Sequence, residues 1–253
     1  MDDTLEPVLL IEKKDDLLIL TLNRAAHANA LNSELVEALL CAINKAEDIR
    51  LCVIRGNGRH FCSGFDLSDI GHCSDGDILW RILRTELMLQ AIHHAPYPII
   101  VLAHNQVIGA GADLFAACWL RVAAPDIKLK MPGWNFELSL GTRRLVELVG
   151  AQAARDLLID TRVLNADQSV SINLATDIVE ADQWHQLITQ TLERTRALPL
   201  RALRDMLSLT VTDTREQDLA TIVHTAGRTG LKERILCYRE KVIKATNSKK
   251  ALT

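Results

Sequence analysis

The stretch IIVLAHNQVIGAGADLFAACWLRVAA, residues 99–124, changes character three times in twenty-six residues. IIVLA (99–103) is a short, β-branched apolar run of the kind that fills a strand buried on both faces. QVI is strand-like, the glycines at 109 and 111 flank Ala110, and ADLFAA has the composition of a helix before a further strand around 119–123. Strand, glycine loop, helix and strand in succession predict a layered α/β core rather than a sandwich or a bundle.

The same grammar extends in both directions. VLLIEKK (8–14) and LLILTLN (17–23) read as two strands joined by a turn at Asp15 and Asp16. Leu35, Leu39, Leu40 and Ile43 mark one face of a helix over about 33–47, with Asn32 or Ser33 as its cap. LCVIR (51–55) is a buried strand running into the glycine-rich GNGRHFCSGFDL (56–67). ILWRILRTELMLQAIHH reads as a helix over about 78–94, ended by Pro96 and Pro98 because residues before proline disfavour the α region. From residue 141 the pattern is mostly helical, with one short strand near TDIVE.

A chain of 253 residues with 48% hydrophobic content can bury a sizeable core. A net charge of -3 supplies no basic field for a phosphate backbone, which argues against nucleic acid as the main ligand. The acidic start MDDTLEPVLL lacks the positive charge of a secretory signal, and no 18-residue apolar run follows, so a soluble cytoplasmic protein without membrane contact is expected. Six cysteines, none in a C-x-x-C pair, suggest buried thiols rather than disulfides or a metal site.

Two loops can carry chemistry. In GNGRHFCSGFDL the glycines let backbone N–H groups turn toward a ligand. The loop is not a P-loop, a dinucleotide fingerprint or a G-x-S-x-G elbow: the Gly-Lys-Ser/Thr ending is missing, Phe61 replaces the third glycine, and Cys62 precedes Ser63. In IGAGADLF (108–115) a helix begins near Ala110, and its first N–H groups lack intrahelical partners. Asp113, in that first turn, is a candidate acid, or a carboxylate that merely favours the helix end. One N–H from each loop on a single oxygen would make an oxyanion hole.

Four ordered segments resemble the crotonase superfamily, the enoyl-CoA hydratase/isomerase family. They are LNRAAHANALN (22–32), VIRGNGRHFCSGFDL (53–67), PIIVLAHNQVIGAGADL (98–114) and LGTRRLVELVG (140–150), with Ala25 where the family usually has proline. The resemblance spans nearly the whole chain. It implies an α/β spiral of ββα units over 1–190 with the acyl-CoA site, a helical trimerisation region over 191–253, and a homotrimer or dimer of trimers. It also implies an oxyanion hole from the N–H groups of Phe65 and Ala110, acting on a thioester. Ala25, His27, Phe65, Asp66, Leu67, Ser68 and Ala110 would line the acyl-CoA. No cofactor is implied beyond coenzyme A as part of the substrate, and no metal.

Family hydratases use two carboxylates around a water. The first falls at Asp113, whose side chain is shorter than glutamate by one C–C bond, about 1.5 Å. The second belongs to a P-E-x-x-x-G loop, but here Gly133 follows Pro132 in LKMPGWNFELSLG (129–141). Glu137 is the one carboxylate in that shortened stretch: a displaced second acid, a helix-end anion or a surface residue. Hydration of a 2-enoyl-CoA is the leading expectation. Double-bond isomerisation is next, since one carboxyl can shuttle one proton, and a silent CoA-binding or scaffold member is the rival outside enzymology. His60 with Cys62 is a weak thiol-base candidate, His93 and His94 fit a helix C-terminus, and Asn105 fits a left-handed turn.

Overall fold

β1 (Leu9–Lys14) and β2 (Leu17–Leu22) form an antiparallel hairpin in the computed structural model, which describes residues 6–250. Asp15 takes a left-handed φ of 54° at the turn. β3 (Leu51–Gly56), β4 (Ile99–Ala103), β6 (Leu120–Ala123) and β8 (Asp177–Ile178) then add in parallel, giving the order β1-β2-β3-β4-β6-β8. The runs LCVI and IIVLA are buried throughout, as strands covered on both faces must be.

A second row of extended segments runs beside this sheet. After β2 comes Leu31, which bridges Phe65; after β3 comes Cys62, which bridges Val107. β5 (Gln106–Ile108) pairs in parallel with β7 (Lys128–Lys130), and Leu129 bridges Leu164. Each turn of chain therefore gives one strand to the large sheet, one short segment to the second row, and then a helix. The helices are α1 (Ser33–Asn44), α2 (Asp75–His93), α3 (Ala110–Ala117) and α4 (Thr142–Val149). This is the expected spiral of ββα units.

Local chemistry sets the helix ends. Asn32 caps α1 by accepting the Leu35 N–H at 2.9 Å. α2 starts at Asp75 rather than near 78, because Ser74 and Asp77 form a reciprocal capping box. The remaining helices are α5 (Ala151–Asp160), α6 (Ala166–Ser171), α7 (Trp184–Arg196), α8 (Leu200–Leu209), α9 (Arg215–Ala226) and α10 (Leu231–Lys250). Residues 190 and 191 both lie within α7, so the expected division between them crosses a continuous helix, and residues 1–5 and 251–253 lie outside the described range.

Three contacts bring the C-terminal helices onto the body. Ile188 of α7 packs with Leu51, Val53, Ile100, Leu102 and Val122 on one face of the sheet. Ile222 of α9 and Ile235 of α10 pack with Ile78 and Ile82 of α2 and with Leu138. The Asp75 carboxylate accepts the N–H groups of Gly230, Leu231 and Lys232 at 3.0, 3.2 and 2.9 Å, capping α10 from the start of α2. Among the described residues no helix is long and apolar enough to cross a membrane.

Candidate active site

The directions of two backbone N–H groups follow from what their peptide partners do. The Gly64 carbonyl accepts the Leu31 N–H at 2.8 Å, and in a planar trans peptide the Phe65 N–H must point to the opposite side. The Gly109 carbonyl accepts the N–H groups of Ala112 and Asp113 at 2.8 and 3.0 Å, so the Ala110 N–H points off the start of α3. Among the described residues neither N–H has a protein acceptor. Both residues line one cavity of about 290 Å³.

Gly64 lets the two loops meet. It has φ +96°, and a Cβ there would lie 2.5 Å from the Ile108 carbonyl oxygen and 3.3 Å from the Ala110 nitrogen. Two donors converging on one point of an apolar cavity can stabilise an oxygen that gains negative charge. Phe65 is also braced from behind. The Arg81 guanidinium lies 4.7 Å from its ring centroid and donates to the Asp66 carbonyl at 2.8 Å.

Asp113 enters the same cavity from the first turn of α3. It is 5% exposed, and its Oδ1 is buried without a hydrogen-bond partner. Gly141, the residue before α4, closes over it: at φ +65° any Cβ would overlap the Asp113 carboxyl. Burial pushes this carboxyl well above its usual range; the Arg144 charge opposes the shift and the Glu86 charge adds to it. A helix dipole favours an anion at the surface, whereas this carboxyl is buried against a cavity and burial disfavours its charged form, so helix-end stabilisation does not account for it.

Glu137 is placed elsewhere. A 3-10 turn over Gly133–Phe136 puts Trp134 and Phe136 on the cavity, and the chain then reverses at Glu137 with φ 61°. Its exposed side chain lies 3.4 Å from Arg228 and 3.9 Å from Arg234 and does not line the cavity. The expectation of a displaced second acid is corrected: Glu137 is a surface residue in an ion-pair cluster.

The other expected positions divide. Phe65, Leu67 and Ala110 line the cavity, while Ala25, His27 and Ser68 are exposed outside it. Asp66 is corrected as a lining residue: its buried carboxylate is engaged by Arg24 at 2.9 Å and by the Ser68 N–H at 2.9 Å. Burial pushes that carboxyl up, but these partners outweigh it and hold it below the usual range.

Cys62 donates to the Asn29 carbonyl, and burial pushes its thiol up to about 12, which removes it as a nucleophile. His60 bonds to Asn105, which has the expected left-handed φ of 50°. His93 departs from the helix-end reading: burial, then the Arg144 charge, push it down to about 4, so it carries no charge for the dipole at neutral pH. Three of the six cysteines are buried, whereas Cys41 and Cys237 are exposed and Cys73 is intermediate.

Sequence reasoning passed over Glu86 and Arg144. Glu86 is fully buried and receives two parallel bonds from Arg144, at 2.8 and 2.6 Å. The signal was present in α2, where Glu86 occupies the stripe formed by Ile78, Ile82 and Leu89. Much of the remaining wall comes from Trp134, Phe136, Leu140, Leu158, Ile235 and Tyr238.

Comparison with known proteins identifies relatives of the chain. The family model described as enoyl-CoA hydratase/isomerase matches residues 17–237. The "Probable enoyl-CoA hydratase echA6" of Mycobacterium tuberculosis is 35% identical over 182 residues, covering 69% of this chain and 73% of that protein. The 2,3-dehydroadipyl-CoA hydratase of Escherichia coli is 28% identical over 213 residues, covering 79% and 81%. A Bordetella parapertussis protein crystallised under the description enoyl-CoA hydratase/isomerase superposes with a TM-score of 0.90 at 38% identity, covering 91% of this chain and 98% of that one. A matched model over most of the length, on a spiral that brings both glycine loops to one cavity, means that the chain belongs to the enoyl-CoA hydratase/isomerase family.

Proposed function

We propose that the protein adds water to a 2-enoyl-CoA, forming a 3-hydroxyacyl-CoA. The observation that carries this reading is that the Phe65 and Ala110 N–H groups, neither with a protein acceptor, and one buried carboxyl, Asp113, line a single apolar cavity. The thioester oxygen accepts both N–H groups, and they stabilise the enolate that forms when water attacks C3. A neutral carboxyl can serve both proton transfers. Its O–H gives a proton to C2 while its other oxygen takes one from the attacking water, so one C–O and one C–H bond form and Asp113 ends as it began.

Aliphatic and aromatic walls suit an uncharged acyl chain, and the outer part of coenzyme A would run past Ala25, His27, Leu67 and Ser68 at the surface. A homotrimer or dimer of trimers is part of this reading. The exposed apolar side chains of Trp134, Ile159 and Val163 support it, since such surface seeks cover. The C-terminal helices would serve in oligomerisation as well as in walling the cavity.

The single carboxyl also favours a second reading, isomerisation of a 3-enoyl-CoA, which needs one proton moved from C2 to C4. The test is an assay of 2-enoyl-CoA and 3-enoyl-CoA esters with the parent protein and Asp113→Asn. Hydration predicts water addition to the 2-enoyl ester and a loss of about 10²–10⁴-fold in Asp113→Asn. Turnover of the 3-enoyl ester alone selects isomerisation. Tight binding with no turnover of either would leave a silent acyl-CoA-binding protein.

A further inference from the structure

We infer that Arg24 and Asp66 are positioning residues for the Phe65 N–H: their buried ion pair locks the segment ahead of α1 onto the glycine loop, and that lock fixes where the donor points. The inference rests on the reading of Phe65 and Ala110 as an oxyanion hole.

Gly64 creates the need for a lock. Its φ of +96° lets the loop approach Ile108 and Ala110, but a residue without a Cβ also leaves the following peptide plane free to turn. The Phe65 N–H lies in that plane, so its aim depends on what holds the carbonyl at the other end. Leu31 holds it. The Leu31 N–H donates to the Gly64 carbonyl at 2.8 Å, and the Leu31 carbonyl accepts the Asp66 N–H at 3.1 Å, so the peptides on both sides of Phe65 are tied to one residue.

Leu31 is held in turn through side chains. Arg24, at the far end of the segment 24–31, directs Nη1 both to the Ala30 carbonyl and to Asp66 Oδ2, the latter at 2.9 Å. The other carboxylate oxygen of Asp66 accepts the Ser68 N–H at 2.9 Å, and its main-chain carbonyl accepts from Arg81 at 2.8 Å. One guanidinium nitrogen thus joins the residue before Leu31 to the residue after Phe65. The segment needs such a staple, because Ala28 and Asn29 take left-handed φ values of 49° and 52° that disfavour its path in the absence of contacts.

Stability alone does not account for the pair. The two side chains are 12% and 7% exposed, and a buried ion pair is often no more stabilising than neutral groups of similar volume. What a charged contact between fixed partners supplies is geometry. Neither residue lines the cavity, so neither touches substrate.

The test reads the bound thioester carbonyl directly. Butanoyl-CoA, which has no double bond to hydrate, is labelled with ¹³C at its carbonyl and followed by difference infrared spectroscopy at saturating concentration. Hydrogen-bond donors polarise a carbonyl and lower its stretching frequency, so the band should move down on binding to the parent. In Asp66→Asn, and in Arg24→Met/Asp66→Asn, which removes both charges, it should move back toward the position of the free ester. Steady-state kcat for a 2-enoyl-CoA should fall by about 10–100-fold as the donor is misplaced, with KM little changed because the apolar walls are intact.

A folded variant whose bound carbonyl band coincides with the parent's overturns the inference, whatever its stability in urea. Should Asp66→Asn leave Arg24 unpartnered and fail to fold, the double variant, with no buried charge left over, decides by the same band. An ester that binds the parent without any shift defeats the oxyanion reading itself, and an ester that does not bind defeats the acyl-CoA reading; either result is distinct from a shift that the variants retain.

Discussion

Gly141 lies directly over the carboxyl of Asp113, so closely that a single methyl group at position 141 would overlap it. Gly141→Ala therefore meets two obstacles, the clash and a left-handed φ of 65°. The left-handed conformation alone costs an alanine about 1–2 kcal/mol. Urea unfolding should show at least that loss, and kcat should fall by more than tenfold as Asp113 is displaced.

Asp113 also gives stability a pH signature. Its folded pKa is raised by burial, so between the unfolded value near 3.9 and the folded midpoint the native state holds a proton that the unfolded chain has released. Stability contributed at this site therefore falls as pH rises through that window. Asp113→Asn removes the dependence, and should look more favourable relative to the parent at pH 7 than at pH 4 in denaturant titrations at both pH values. In the parent, hydration should decline as pH rises through the folded midpoint, because the acid form is the active one.

The opposite sign holds for Asp75. Hydrogen bonds, first from the Lys232 N–H and then from Gly230 and Leu231, hold its carboxyl below the usual range. The stabilisation is present above the unfolded value and is lost as pH falls through the lower folded value. Asp75→Ala should cost about 1 kcal/mol at pH 7, as loss of a helix cap does, with the cost shrinking as pH falls through the folded value. Hydrogen exchange at the first turn of α10 should quicken before exchange in β3 or β4.

Glu137→Gln should leave kcat/KM for a 2-enoyl-CoA within about twofold of the parent, since the side chain faces Arg228 and Arg234. A tenfold loss in steady-state assays would show that the 133–137 turn rearranges to carry the carboxyl inward.

Much of the fold could be read from sequence because its signals are local. IIVLA occupies β4 residue for residue, and the glycines around Ala110 sit where a strand gives way to α3. The start of α2 was also legible in Ser74-x-x-Asp77, a capping signal that the apolar periodicity beginning at Ile78 obscured. In the site, glycine placement marked the two loops that reach one cavity, while Phe65 and Ala110 within them were named from the family resemblance. Glu137 could not be placed, since one left-handed residue decides whether its side chain faces the cavity or the arginines. The Glu86–Arg144 contact joins two helices far apart in the chain, and no local pattern names the partner.

The second row of short bridges governs the two donors in a way that outlasts changes in the loops. Cys62 and Val107 are paired neighbours on successive turns of the spiral, and Phe65 and Ala110 each lie three residues beyond them. The bridge fixes where the two segments approach, and Phe65 and the first residue of α3 follow it at the same offset. An approach set by backbone hydrogen bonding is indifferent to side-chain identity, so alanine at 110 keeps the N–H that a glycine would present there.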